Sequence, residues 1–228
     1  MADWHLARAR AASVRAVAGI HIDELTIADE PSTWTALGFA VDGDVVRVGD
    51  VALRLAGRAA GRGLVAWTLR GVAGDRLDGL PTRAVEADAA GPGAPPHPNG
   101  VVALDHVVAM TPVLDRTVAA LQAAGLDLRR IREEPTPAGA PRQAFFRLAA
   151  VILEVVQVPD EALDRSGGPD GPAFFWGLAF KVADLDATVA HIGEERCSPP
   201  RPAVQPGRRI ATLRRAAGLA LPVALMTG

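Results

Sequence analysis

The sequence predicts an α/β protein of the α+β type, assembled from repeated βαβββ modules. Three observations predict it. Apolar runs of strand length alternate with short helical stripes. The order strand, helix, strand, strand, strand recurs along the chain. Two helix segments 71 positions apart are close copies, LDRTVAAL from Leu114 and LDATVAHI from Leu185. A repeat of this kind gives equivalent residues equivalent places in the fold.

The elements follow in order. Residues 20–28 form a strand run, and residues 31–37 a short helix stopped by Gly38. Residues 39–41, 45–48 and 51–56 are short strands split by the turn pairs Asp42-Gly43 and Gly49-Asp50. Residues 64–71 are one more strand, with no helix after it. Residues 1–86 thus read as one degenerate module with an extra strand. ADAAGPGAPPHPNG, residues 87–100, is rich in Pro and Gly, lacks periodicity and reads as a linker.

Residues 101–228 hold two fuller modules, 101–163 and 172–228, separated by the loop 164–172. In the first, the strand run 101–110 meets Thr111-Pro112, an N-cap with proline at the first helical position. Leu114, Val118 and Leu121 supply an apolar helix face, and Gly125 the stop. Strands are expected at 126–132, 143–148 and 151–158. In the second, the strand 174–182 leads to Asp184 as N-cap. Leu185, Val189 and Ile192 form the stripe, and strands are expected at 210–215 and 219–226.

Composition narrows the function. At 228 residues and 49% hydrophobic, the chain can bury a sizeable core. A net charge of −2 and 4% aromatics give neither a basic footprint nor a base-stacking platform, so nucleic acid is not an expected partner. No apolar run is long enough to span a membrane. The first 15 residues carry Arg8, Arg10 and Arg15 without an apolar stretch, unlike a secretory signal. The expected compartment is the cytoplasm. The Ala, Arg, Gly and Pro bias, with Lys181 the only lysine, reads as GC-rich bacterial coding. Cys197 is alone, which excludes a disulfide within the chain and a cysteine-rich zinc site. It is expected to be an inert thiol.

Paired βαβββ modules with a first strand reading LDHVV and a last strand reading ILEVV resemble the vicinal oxygen chelate superfamily. That superfamily includes glyoxalase I, extradiol dioxygenases, methylmalonyl-CoA epimerase and the bleomycin and fosfomycin resistance proteins. The resemblance covers residues 101–228 well and residues 20–70 weakly. It implies curled mixed sheets that enclose a cleft, with metal ligands on the first and last strands of each module. It also implies a small-molecule ligand, and a homodimer. His106 and Glu154 fall on the ligand positions of the first module, and suit a divalent metal: Zn, Ni, Mn or Fe(II). The implied reaction is a lyase, isomerase or dioxygenase acting on vicinal oxygens, with Glu154 as the catalytic group. The alternatives are an antibiotic-sequestering binder without chemistry and an interaction module.

The internal repeat tests this metal site. Gly177 stands at the His106 position and Ala224 at the Glu154 position, so the last module offers no ligand. In the N-terminal module Glu24 takes the His106 position and Arg54 the Glu154 position, an ion pair in place of an ion. Gln143, Phe145, Arg147, Ile152, Trp176 and Arg209 are the expected substrate-binding residues, as apolar walls and anion-binding side chains of the cleft. Trp34 and Trp67 are expected to pack between modules.

Overall fold

A computed structural model describes residues 19–86, 93–135, 139, 141–164 and 167–228. The leading segment read for a secretory signal lies outside the described residues, as do residues 87–92 of the expected linker. Among the described residues no helix is long and apolar enough to cross a membrane.

The C-terminal half is one eight-stranded mixed sheet. Its first module runs β8 (Val101–Thr111), α2 (Leu114–Ala123), β9 (Asp127–Arg132), β10 (Gln143–Leu148) and β11 (Val151–Gln157). Its second runs β12 (Phe174–Val182), α3 (Leu185–Ile192), β13 (Arg201–Pro202), β14 (Arg209–Thr212) and β15 (Val223–Met226). The order β13-β14-β15-β12-β8-β11-β10-β9 is symmetric about its centre. β8 pairs with β11, and β12 with β15, in parallel; β8 and β12 join the modules antiparallel. The sheet is not closed.

The N-terminal half repeats this plan with losses. It contains β1 (His21–Ile27), α1 (Pro31–Thr35), β2 (Val41–Asp42), β3 (Val45–Val48), β4 (Val51–Leu55), β5 (Leu64–Arg70), β6 (Arg76–Leu77) and β7 (Leu80–Val85). Its seven strands lie in the order β2-β3-β4-β1-β5-β7-β6. β1–β4 and β5–β7 are parallel and β1–β5 antiparallel, as in the other half, but no α-helix separates β5 from β6. The extra strand read from the sequence is therefore the first strand of a second, helix-less module. β6, β7 and β13 were not foreseen: two are dipeptides, and β7 carries Pro81, a residue that argues against a strand.

The helical stripes do what their spacing demands. Leu114, Val118 and Leu121, and likewise Leu185, Val189 and Ile192, are buried. Asp184 caps α3 by accepting from Ala187 N at 3.0 Å. Thr111, expected to cap α2, is instead the last residue of β8. The N-cap is Val113, with no side-chain bond, because the hydroxyl of Thr111 is bonded to Val113 N and to Thr117.

One hydrophobic cluster runs through both halves. Trp34 packs on Phe39 (4.8 Å between ring centroids) and on Phe180 of β12 (6.2 Å), and Trp67 on Phe175 of β12 (5.1 Å). These tryptophans join the halves, as their place in the sequence suggests. The described end of the linker is docked. His97 Nδ1 accepts from Ala40 N at 3.0 Å, so the proton sits on Nε2, which donates to Arg47 O at 2.9 Å. Buried Asn99 bonds Leu37 O and Val101 N. Thr188 of α3 donates to Asn99 O at 2.8 Å.

Candidate functional site

The site starts from an irregularity in β8. Leu104 pairs with Phe180 and His106 with Ala179, which leaves Asp105 without a partner across the strand. Such a bulge re-aims side chains. Here it lets the buried Asp105 carboxylate reach the imidazole of the next residue: Asp105 Oδ2 lies 2.8 Å from His106 Nδ1. Arg208 donates to Asp105 Oδ1 at 2.9 Å, and Lys181 Nζ lies 3.5 Å away. Burial opposes the charge on Asp105. The hydrogen bonds from His106 and Arg208 outweigh it and hold the carboxyl well below the usual range. With Nδ1–H given to Asp105, Nε2 of His106 is turned toward the cleft.

Glu154 meets it there. In the parallel pairing of β8 with β11, His106 lies beside Ile152 and Val108 beside Glu154, so His106 and Glu154 share one face. Nε2 of His106 is 3.7 Å from Glu154 Oε2, and the amide of Gln143 donates to Glu154 Oε1. Burial pushes the Glu154 carboxyl up, against the pull of His106.

These three side chains form the polar end of a cavity of about 540 Å³. Val108, Met110, Val156 and Pro222 line its apolar wall, and Trp176, 47% exposed, stands at it. Of the residues expected to bind substrate, Gln143 and Trp176 line this cavity. Phe145, Arg147 and Ile152 share the face of Glu154 and His106 by register but lie outside the cavity lining. Arg209 does not join them. It alternates with Ile210, which lines the cavity, and holds Asp186 of α3 at 2.7 and 2.9 Å on the other side of the sheet. Asp105, Met110 and Arg201 escaped the sequence reading. Only Asp105 had a signal, since an aspartate precedes the cleft residue in both LDHVV and IDELT. A second groove, about 630 Å³ and more open, runs past Asp78 and Arg116. Arg116 there already holds Asp78 and the carbonyls of Asp170 and Gly171.

The donor set does not fit a chelated ion. Catalytic metal sites of this type use at least three protein ligands. Here His106 and Glu154 offer two, and Gln143 already occupies one carboxylate oxygen. Across the sheet, Gly177 pairs with Val108, and Ala224 lines the cavity without a donor. A side chain at Gly177 is blocked, because its Cβ would stand 2.7 Å from Pro222 O. Among the described residues no group of three or more His, Cys, Asp or Glu could hold a metal.

The N-terminal half has the same geometry with different chemistry. Asp23 is bulged out of the β1–β5 pairing as Asp105 is out of β8–β12, and it binds Arg70 at 2.8 Å. Glu24 follows it, and Arg54 donates to Glu24 at 2.9 and 3.0 Å and to Asp44 at 3.0 Å. The ion pair expected in place of an ion is present. Those bonds push the Arg54 guanidinium up. Cys197 is buried, and burial pushes its thiol up, the environment of an inert cysteine.

No family model matches this chain, and no curated protein matches it. Solved structures do. A fusion of a xylose isomerase-like TIM barrel with 4-hydroxyphenylpyruvate dioxygenase aligns over 92% of this chain, with a TM-score of 0.60 and 14% identity. The chain spans about half of that protein, 49%. Methylmalonyl-CoA epimerase from Mycobacterium tuberculosis aligns over 56% of this chain and 89% of its own, with a TM-score of 0.46 and 21% identity. The Streptomyces coelicolor epimerase, in complex with 2-nitronate-propionyl-CoA, aligns over 56% and 95%, with 0.45 and 23%.

Proposed function

This chain has the vicinal oxygen chelate fold, and from that premise we propose that it is a glyoxalase-like small-molecule protein whose cleft takes its ligand without a chelated metal. One observation carries the reading: a cavity of about 540 Å³, mostly apolar, gathers His106, Gln143 and Glu154 at one end. Ligand sites have this composition, an apolar body that buries surface and a few convergent polar groups that orient it. A ligand that suits it has an apolar or aromatic body against Met110 and Trp176 and a polar head directed toward the end of the cavity that His106 and Glu154 line. Dioxygenase chemistry finds no support in the donor set. The site reads as the binding member of the alternatives.

The Asp105–His106–Glu154 arrangement favours a second reading, proton transfer next to a carbonyl, as in an isomerase or lyase. Asp105 fixes the imidazole tautomer, and Nε2 and the Glu154 carboxyl face the same volume. Glu154, with its proton affinity raised by burial, would serve as base toward a carbon acid.

Melting curves and metal analysis test the binding reading. Zn, Ni, Mn and Fe(II) salts should leave the melting temperature of the purified protein unchanged, while a fitting aromatic ligand raises it. Glu154→Gln should weaken that ligand. Stoichiometric metal that is lost in His106→Ala would overturn the metal-free reading. The proton-transfer reading predicts solvent deuterium uptake beside a bound carbonyl, abolished in Glu154→Gln. We further propose that the protein is a cytoplasmic homodimer; sedimentation velocity would check the dimer.

A further inference from the structure

The same sheet face carries a second set of side chains beside the polar end of the cavity. β10 pairs with β9 so that Arg132 lies opposite Gln143, Arg130 opposite Phe145 and Asp127 opposite Arg147. It pairs with β11 so that Phe145 lies opposite Glu154 and Arg147 opposite Ile152. Directly opposed residues share a face, about 5 Å apart across strands and about 7 Å apart along one. Arg130, Arg132 and Arg147 therefore stand on the cleft side, one and two strands out from Glu154.

Their pairing state separates them from the arginines of this half that hold carboxylates, and Arg201, which lines the cavity from β13, has no ion pair either among the described residues. Arg116, Arg142 and Arg209, outside the cleft, each hold a carboxylate at 2.7 Å. Arg208 holds Asp105, and Arg129 holds Asp127. Arg132 only grazes the exposed Glu134, at 3.9 Å. Arg130 and Arg147 have no ion-pair partner among the described residues. The guanidinium of Arg130 lies over the Phe145 ring, 5.0 Å from its centroid, which orients its donors without satisfying them. The acidic groups of this face are engaged instead: Asp105 by His106 and Arg208, Glu154 by Gln143, and Asp127, which lies opposite Arg147, by Arg129. The free charge beside the cavity is positive.

We infer that the ligand of this cleft is an amphipathic anion, its apolar body in the cavity and its carboxylate or phosphate on Arg130 and Arg147. This rests on the reading of the cleft as a small-molecule site and adds its ligand class. Two guanidinium forks on neighbouring strands match the oxygens of such a head, and charged hydrogen bonds exceed neutral ones in strength.

Calorimetry with three probes of one body tests it: 4-phenylbutyrate, 4-phenylbutyl phosphate and the neutral 4-phenylbutanol. The better anion should bind about tenfold tighter than the alcohol, and which anion wins identifies the head group. Arg130→Gln/Arg147→Gln should remove that preference, and Arg209→Gln should keep it. Val108→Trp, which fills the cavity, should abolish binding of all three. Equal binding of alcohol and anions overturns the inference and leaves the cleft reading standing. A preference that survives the double variant overturns the assignment to these arginines. If none of the three binds, both readings fall.

Discussion

Gly177 shows how a single residue limits what one strand can present. Its strand position is the one the repeat matches to His106, yet Pro222 O comes too close for any side chain. Gly177→Ala forces β15 or β12 to shift, and overpacking of this kind costs about 1–3 kcal/mol. The expected outcome is a lower urea midpoint with unchanged slope. An unchanged midpoint would mean that β15 moves aside freely and that this position is open to a side chain after all. The imidazole and carboxylate of the first half were legible because they interrupt apolar strands, where polar groups need a partner. Asp105 was not, because an aspartate on a regular strand would face away from His106. The bulge that turns it inward is a matter of pairing between β8 and β12.

At the scale of elements, the two helices differ in their starts. Asp184 bonds Ala187 N, whereas Val113 gives α2 no such bond. Asp184→Ala should cost about 1 kcal/mol, read as a lower melting temperature. The equivalent Val113→Ala should cost nothing by this route. In the N-terminal sheet, Arg54 and Glu24 are only partly covered, with side-chain exposures of 42% and 25%. A double-mutant cycle with Glu24→Gln and Arg54→Gln should return a coupling of roughly 0.2–1 kcal/mol. No coupling would leave the replacement of an ion by an ion pair without energetic support. Strand pairing also explains which elements the sequence hid. β13 and β6 are two residues each and exist only as partners of β14 and β7. Their residues have no periodicity to read.

At the scale of the molecule, the halves are tied by a buried carboxylate and a docked strap. Asp29, with no exposed surface, accepts from Trp34 Nε1 at 3.2 Å and from Ala220 N at 3.0 Å, and faces Arg58 at 3.0 Å. Burial raises its carboxyl, and these contacts partly offset the rise. Asp29→Ala strands the buried Trp34 Nε1 donor, at about 1–3 kcal/mol, and the half-buried Ala220 N, at less. It should lower the stability of both halves together, as one transition, because one core spans them. Two separate transitions would contradict the single core. His97 supplies the pH dependence. Burial pushes its ring down, because the charged form would lose its hydration, and the bond to Arg47 O opposes the shift; protonation would also turn Nδ1 from acceptor of Ala40 N into a donor. The unfolded chain takes up this proton near pH 6.5, and the folded chain only below that. The contribution is therefore complete above about 6.5 and is lost as pH falls through the lower folded value. The advantage in melting temperature of the natural protein over His97→Gln should shrink between pH 7.5 and 5.5. A constant gap would refute this role.

The sequence by itself determined the modules, their helical faces, the strand runs and the residues that interrupt them, because periodicity and turn chemistry are local. It also determined, through its own repeat, that Gly177 and Ala224 stand where the preceding module has His106 and Glu154. Only the tertiary structure decided which side of a sheet each arginine serves, that Asp105 turns toward His106, and that the Pro-rich segment carries a buried histidine. Those outcomes depend on register and bulges, which arise where strands distant in the chain meet, and no local pattern encodes them.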